Sequence, residues 1–315
     1  MEMEERKKKI DLTDIRVVLL LAGICCFLWG SATPAIKIGY RLFGIDGADT
    51  ASILLFAGSR FLLAGLLVIL YHSITKRHWI WPPKGSGRAI GHLALTQTVL
   101  QYVFFYVGLS HASGVHGAII TGTNVFFSIL CASLIFRYEK LELRKIVGCV
   151  LGFLGIVLVN LAGSGGQGGM GISFLGEGFV LLAQLFYALS GSLVKRYAKD
   201  FDVVTLSGYQ FMAGGMVLML IGVACGGTLS GSAGFLGGAL LMYMGFLSAV
   251  AYTLWGVLLK YNPVSRVTIF GFMNPMFGVL LSALLLGESG QALNLHTLAA
   301  LLLVCLGIYV VNREK

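Results

Sequence analysis

The sequence predicts an all-α polytopic membrane protein, with ten transmembrane helices arranged as two inverted five-helix repeats. Three observations predict it: apolar runs that recur along the whole chain, a one-sided distribution of lysine and arginine, and an internal repeat containing an odd number of runs. The 315 residues are 57% hydrophobic and 12% Asp, Glu, Lys and Arg, and mean hydropathy is +0.86. A soluble domain carries about 25% charged residues, whereas apolar runs of about 18 or more residues with few charges read as membrane spans.

The runs can be taken in order. A basic tail, 1–16, precedes the first, 17–38. That run is longer than the apolar region of a cleaved signal, about 7–15 residues, so it is expected to be an uncleaved span, kinked at Pro34 and with Lys37 near its outer end. The second, 50–72, places Arg60 within a turn of its middle, and the third, 89–109, carries Gln97, Gln101 and Tyr102. The fourth, 115–136, contains Asn124, and the fifth, 144–162, completes the first unit. A Gly-rich linker, 163–175, leads to a second unit at 176–312. Its runs are 176–196 with Gln184 and Tyr187, 203–224 with Gln210, 235–259 with Tyr252 and Trp255, 265–286 with Asn274-Pro275, and 295–312.

Of the 23 Lys and Arg, all but Lys37, Arg41 and Arg60 fall in the two tails or in alternate connections, on one side of this arrangement. The positive-inside rule therefore predicts both termini in the cytoplasm of a multi-pass plasma-membrane protein. The net charge of +9 is orientation, and no nucleic-acid partner is expected.

The halves match each other at offsets of 150 to 158 residues. "LGIVLVN" (154–160) matches "LGIYVVN" (306–312), "SRFLLAG" (59–65) matches "YQFMAGG" (209–215), and "TNVFF" (123–127) matches "MNPMF" (273–277). "FLWGSATPAIK" (27–37) matches "LFYALSGSLVK" (185–195), pairing Trp29 with Tyr187 and Lys37 with Lys195. An odd number of spans per unit inserts the second copy upside down, an architecture in which carriers hold substrate near the midplane.

These motifs, with "EKLELRKIVGCVLGFLGIVLVN" (139–160) and "NPMFGVLLSALLLGE" (274–288), resemble the EamA branch of the drug/metabolite transporter superfamily over roughly 17–312. The resemblance implies a ten-helix carrier of small metabolites, often an exporter, with a central cavity. One departure is "RYEKLELRK", where the family has a Gly-Glu turn that the second copy keeps as "LGES".

Other motifs point elsewhere only weakly. "GSGGQG" (163–168) satisfies a dinucleotide-binding spacing but joins two apolar runs rather than a strand and a helix. The six cysteines lie in or beside apolar runs without zinc-like spacing and read as small core residues. No cofactor, metal or catalytic constellation is expected. All 14 Asp and Glu fall in tails, connections or run ends, with Glu177 and Glu288 nearest the membrane. Proton-driven carriers place a carboxylate inside the bundle, so facilitated transport or exchange is expected, or coupling through His111 or His116.

Mid-span polar groups are costly in hydrocarbon and mark the expected cavity: Arg60, Gln97, Gln101, Asn124, Gln210 and Asn274, with aromatic walls from Trp29, Tyr102, Tyr187 and Trp255. Interhelical hydrogen bonding is the competing role for the amides. Gln97 and Gln101, four apart, are expected on one helix face. The expected function is a secondary carrier, exporting a small amino-acid-like or anionic metabolite by alternating access, with lipid around it and a homodimer as a further expected assembly. Uptake of a quaternary amine such as choline is the alternative within that class, and a membrane-embedded enzyme the alternative outside it.

Overall fold

The structure, a computed structural model, describes residues 11–112, 117, 120–163, 173–229, 233–286 and 295–313. His116, Glu288 and most of the 163–175 linker lie outside the described residues. Every regular element among the described residues is helical. In chain order these are α1 (Ile15–Phe43), α2 (Thr50–Lys76), α3 (Gly87–His111), α4 (Asn124–Ile135), α5 (Leu143–Gly163) and α6 (Phe174–Tyr197). Then follow α7 (Val203–Ala224), α8 (Gly234–Tyr261), the short α9 (Val264–Thr268), a 3-10 turn (Ile269–Phe272), α10 (Met273–Leu286) and α11 (Leu295–Asn312). Six of them, α1, α2, α3, α6, α7 and α8, are long and apolar enough to cross a membrane.

The outer surface is that of a membrane protein. Leu20, Leu220, Leu284 and Leu302 are each more than 60% exposed, a waste of apolar surface in water but the expected face toward lipid. Acidic residues at helix starts cap the unpaired backbone donors there. The carboxylates of Asp14, Asp49 and Asp202 accept from the backbone N–H of Arg16 (2.8 Å), Ser52 (3.1 Å) and Thr205 (2.8 Å). The bonds from Ser52 hold the Asp49 carboxyl below its usual range.

Lipid gives helices no hydrophobic reason to associate, so small residues that let backbones meet decide the packing. The largest interface joins α2 to α7. A Cβ added at Gly58 would lie 2.6 Å from the Met219 N and 2.7 Å from the Gly215 O, and one at Gly222 would lie 2.7 Å from the Leu55 N. The next largest joins α5 to α11, where Gly155 abuts the Ala300 carbonyl. Helix α1 packs on α8 and α10, while α6 packs on α3 and α4. Three apolar clusters result. One holds the N-terminal half of α1 with the end of α8 and α9, a second holds α2, α7 and the middle of α8, and Trp29 packs against both. A third, smaller one joins the start of α3 to the end of α6 and the start of α7.

Two expected spans are not continuous. The run 115–136 is broken by a turn at Gly122-Thr123 before α4, and 265–286 by the 3-10 turn between α9 and α10. Pro275 therefore lies in the first turn of α10 rather than mid-helix. There a missing N–H costs no helical bond, so the kink expected at Pro275 is a break just before it. The carbonyl of Phe270, within that break, accepts from the Cys26 thiol at 3.2 Å. Cys25, Cys131 and Cys149 are also buried, as core cysteines should be, whereas Cys225 and Cys305 are exposed.

The α2–α7 crossing is therefore expected to be intolerant of side chains. Gly58→Leu should lower stability by about 1–3 kcal/mol or prevent folding, read as a fall in Tm of the purified protein in detergent. Gly91→Ala, where an added Cβ meets nothing within 4 Å, should leave Tm unchanged.

Candidate functional site

A cavity of about 230 Å³ opens where α1, α2, α3, α4, α6, α8 and the α9–α10 break converge. Helix α1 contributes Trp29 and Ile36, one on each side of Pro34, which removes a backbone donor and loosens the helix locally. From α2 comes Arg60, only 4% exposed, its guanidinium carbon 4.5 Å from the Phe61 ring centre and 5.6 Å from that of Tyr102. The Nε of Arg60 has no hydrogen-bond partner among the described residues, and no carboxylate lines the cavity.

Helix α3 changes winding as it reaches the site. Residues Ala94–Leu100 form a π-helical stretch, a rare form often found at functional sites, before α-helical winding resumes at Gln101. Gln101, Tyr102 and Tyr106 then line the cavity. The Tyr102 and Tyr252 hydroxyls are 2.9 Å apart, and Trp29 meets Tyr252 and Trp255 edge-on with ring centres 5.1 Å and 5.0 Å away. Both breaks deliver an amide. Asn124 opens α4 and Asn274 sits in the first turn of α10, and both line the cavity with Gln184 and Tyr187 of α6.

Two expected site residues are elsewhere. Gln97 does not share the cavity face with Gln101, because the i→i+5 winding between them changes the angle that separates residues four apart. It points at α7, where its Oε1 accepts from the Gln210 Nε2 at 3.1 Å, and the Gln210 Oε1 accepts from the Thr98 hydroxyl at 3.0 Å. Neither Gln97 nor Gln210 lines the cavity; they tie α3 to α7. The other eight, Trp29, Arg60, Gln101, Tyr102, Asn124, Tyr187, Trp255 and Asn274, are brought together there.

Sequence reasoning missed Tyr106, although it follows Tyr102 by one helical turn and could have been found by that spacing. It also missed hydroxyls such as Thr121, Ser248 and Thr268, which hydrogen-bond carbonyls of Gly117, Met244 and Val264 one turn back. Those bonds make a serine or threonine acceptable in any membrane helix, so no signal separates them. Two further polar atoms on the cavity wall lack partners: the Trp29 Nε1, a donor, and the Gln101 Oε1, an acceptor.

A helical bundle with a lipid-facing apolar surface and a polar cavity at its centre defines a multi-pass membrane protein. The EamA-like transporter family matches residues 16–161 and again 174–313. The chain belongs to that family, within the drug/metabolite transporter superfamily, and its work is transmembrane transport. It is 26% identical to the uncharacterized transporter YvbV of Bacillus subtilis, over 97% of this chain and 94% of that one. An uncharacterized transporter of Archaeoglobus fulgidus is 27% identical, over 94% and 99% respectively. A crystal structure of another protein superposes with a TM-score of 0.76 over 94% of this chain and 96% of that one, and at 15% identity that likeness concerns the fold alone.

The glutamine pair is expected to stabilise rather than to bind. Gln97→Ala leaves a buried Gln210 amide without its acceptor, which costs about 1–3 kcal/mol. Thermal unfolding should show that loss, while the affinity for any cavity ligand stays at the wild-type value.

Proposed function

We propose that the protein is a secondary carrier of ten spans in two inverted five-helix repeats, exporting a small amino-acid-like or anionic metabolite across the plasma membrane by alternating access. Arg60 carries this reading: a buried guanidinium on the wall of a central cavity without a carboxylate beside it. An Arg at mid-membrane costs about 2.5–3.5 kcal/mol on insertion scales, and a cavity that admits an anion offsets that cost when occupied. The unpartnered Gln101 acceptor and Trp29 donor suit a ligand with polar groups of both kinds.

The repeat reading is supported by which helices touch. Exchanging the two halves maps α2 against α7 and α5 against α11 onto themselves, and α1 against α8 onto α6 against α3. The breaks before Asn124 and Asn274 correspond in the same way. Interrupted helices at the midplane are where carriers of this build bind substrate.

An outward facing is supported by the packing on one side of the cavity. Toward the end that carries Ile15, Lys76, Glu139 and Tyr261, the space below Trp29 and Trp255 is packed with buried Cys25, Cys26, Leu258, Leu259 and Val267. With that basic end cytoplasmic, the cavity faces outward. A quaternary amine would find cation–π partners in Trp29, Tyr252 and Trp255, but the charge of Arg60 stands against it. Among the described residues, the cavity lining holds no histidine, cysteine or carboxylate.

Ligand-dependent thermal shift tests the site, using amino acids, carboxylates, phosphate esters and choline. Arg60→Gln should fold, since Gln210 holds the matching repeat position, and should lose about 10- to 100-fold in affinity for an anionic ligand, as expected for one charged hydrogen bond. Arg60→Lys should retain part of it. Unchanged affinity in folded Arg60→Gln, or choline as the sole stabiliser, overturns the anionic reading. Orientation is tested separately by single cysteines placed after Cys225 and Cys305 are replaced by serine. A cysteine at Gly47 should react with an impermeant reagent in intact cells, and one at Lys84 only after permeabilisation.

A further inference from the structure

A second cavity, of about 430 Å³, lies at the basic end, far from Arg60. Its lining draws on three separate parts of the chain: the connection between α4 and α5, the junction of α8 with α9, and the end of α11. Five cations line it, Lys140, Arg144, Lys145, Arg266 and Arg313. Among the described residues two carboxylates line it with them, Glu139 and Glu142, so the described lining holds more cations than anions.

Both carboxylates are already engaged. Glu139 accepts from the Lys145 Nζ at 2.8 Å, from the Ser265 backbone N–H at 2.9 Å and from the Ser265 hydroxyl. The Glu139 and Lys145 side chains are only 10% and 7% exposed, so this pair is a built wall rather than a loose surface contact. Glu142 pairs with the Arg144 Nε at 2.7 Å, and the Arg144 Nη1 donates to the Arg313 carbonyl at 2.6 Å. The wall thus fixes the cavity's shape across both halves of the molecule, while the surplus charge faces a space large enough for a polyatomic anion.

We propose that this cavity binds a phosphate group. Lys140 comes from the first half of the chain, and Arg266 and Arg313 from the second. A phosphate among them bridges the two halves at the basic end, beside the Glu139–Lys145–Ser265 contact. Phosphate suits the site because its several acceptor oxygens take donors from more than one direction, and arginine and lysine are its usual partners. Two sources present this chemistry at a membrane surface, the headgroup of an anionic phospholipid and a soluble phosphate compound. Anionic headgroups concentrate at the cytoplasmic surface, where basic side chains attract them.

The experiment uses the full-length protein in detergent, with thermal stability and native mass spectrometry as readouts. Phosphatidylglycerol, phosphatidylcholine and inorganic phosphate are the probes. Wild type should retain about one phosphatidylglycerol per chain and gain Tm with it, but not with phosphatidylcholine. In the Lys140→Gln/Arg266→Gln/Arg313→Gln protein the apparent affinity should fall roughly fivefold per charge removed, on the order of 100-fold in all. Lys76→Gln/Arg77→Gln removes two exposed cations from the same end but outside this cavity and should leave binding intact. Stabilisation by phosphatidylglycerol alone identifies a lipid headgroup, and stabilisation by inorganic phosphate as well identifies a soluble source; both support the site. Absence of any anion-dependent effect, or equal losses in the cavity and control variants, overturns it. Should Arg266→Gln fail to fold, the Lys140→Gln/Arg313→Gln protein carries the same comparison.

Discussion

The close approach of α2 and α7 is the contact on which the site depends. Helices in lipid are held by van der Waals contact and by whatever polar bonds they can make, so the distance between backbones matters more than apolar area. Gly58, Gly215 and Gly222 remove the side chains that would hold these two helices apart. The consequence for function is angular. Gly58 and Leu62 face α7, and Arg60, two residues from each, is turned away from that interface because residues two apart do not share a helix face. A helix pinned so tightly on one side holds the guanidinium of its other side at a fixed place on the cavity wall.

The polar residues of the membrane interior then divide into two groups by a simple criterion, whether the protein satisfies them. Gln97, Thr98 and Gln210 bond one another across α3 and α7, and none of the three lines the cavity. Gln101, Trp29 and Arg60 each keep an atom without a partner, and all three border the same cavity. Buried polar groups are ordinarily paired, and other unpaired atoms, such as the Ser133, Ser192 and Thr253 hydroxyls, lie away from this cavity, so it is the charge of Arg60 beside two further unpaired atoms that sets this space apart.

That division also shows where sequence reasoning reaches its limit. Hydropathy located the long helices within a few residues, because the need to satisfy every backbone group in lipid leaves a helix as the default for an apolar run. It could not see the breaks at Gly122-Thr123 and Ile269–Phe272, because the runs there stay apolar and the freed carbonyls find partners far away in sequence, as Phe270 does with Cys26. The cavity lining was legible at Arg60 and at the asparagines, where a costly residue type announces itself. It was misread at Gln97, where the inference assumed α-helical spacing through a stretch that winds differently. Gln210 was expected in the cavity because it falls near the middle of its run, but depth does not fix a partner, and its amide bonds Gln97 and Thr98 instead.

The charge of Arg60 sets the terms for whatever enters. A guanidinium stays charged at any physiological pH, and no carboxylate lines the cavity to neutralise it. Ring faces stabilise such a cation only modestly, about 0.5–2 kcal/mol each, so Phe61 and Tyr102 reduce the cost of burial without cancelling the charge. On the proposed reading, a cationic ligand among Trp29, Tyr252 and Trp255 would meet the repulsion of a guanidinium on the same cavity wall. An anion meets the reverse. At the basic end the arrangement differs: Glu139 is buried against Lys145 and Ser265, and the contact between halves there is made by the protein's own opposite charges. At the basic end a buried ion pair joins the two halves whether or not a ligand is bound beside it, whereas among the described residues the central cation has no carboxylate on its cavity wall. On the proposed reading, that difference separates the part that holds the halves together from the part that recognises cargo.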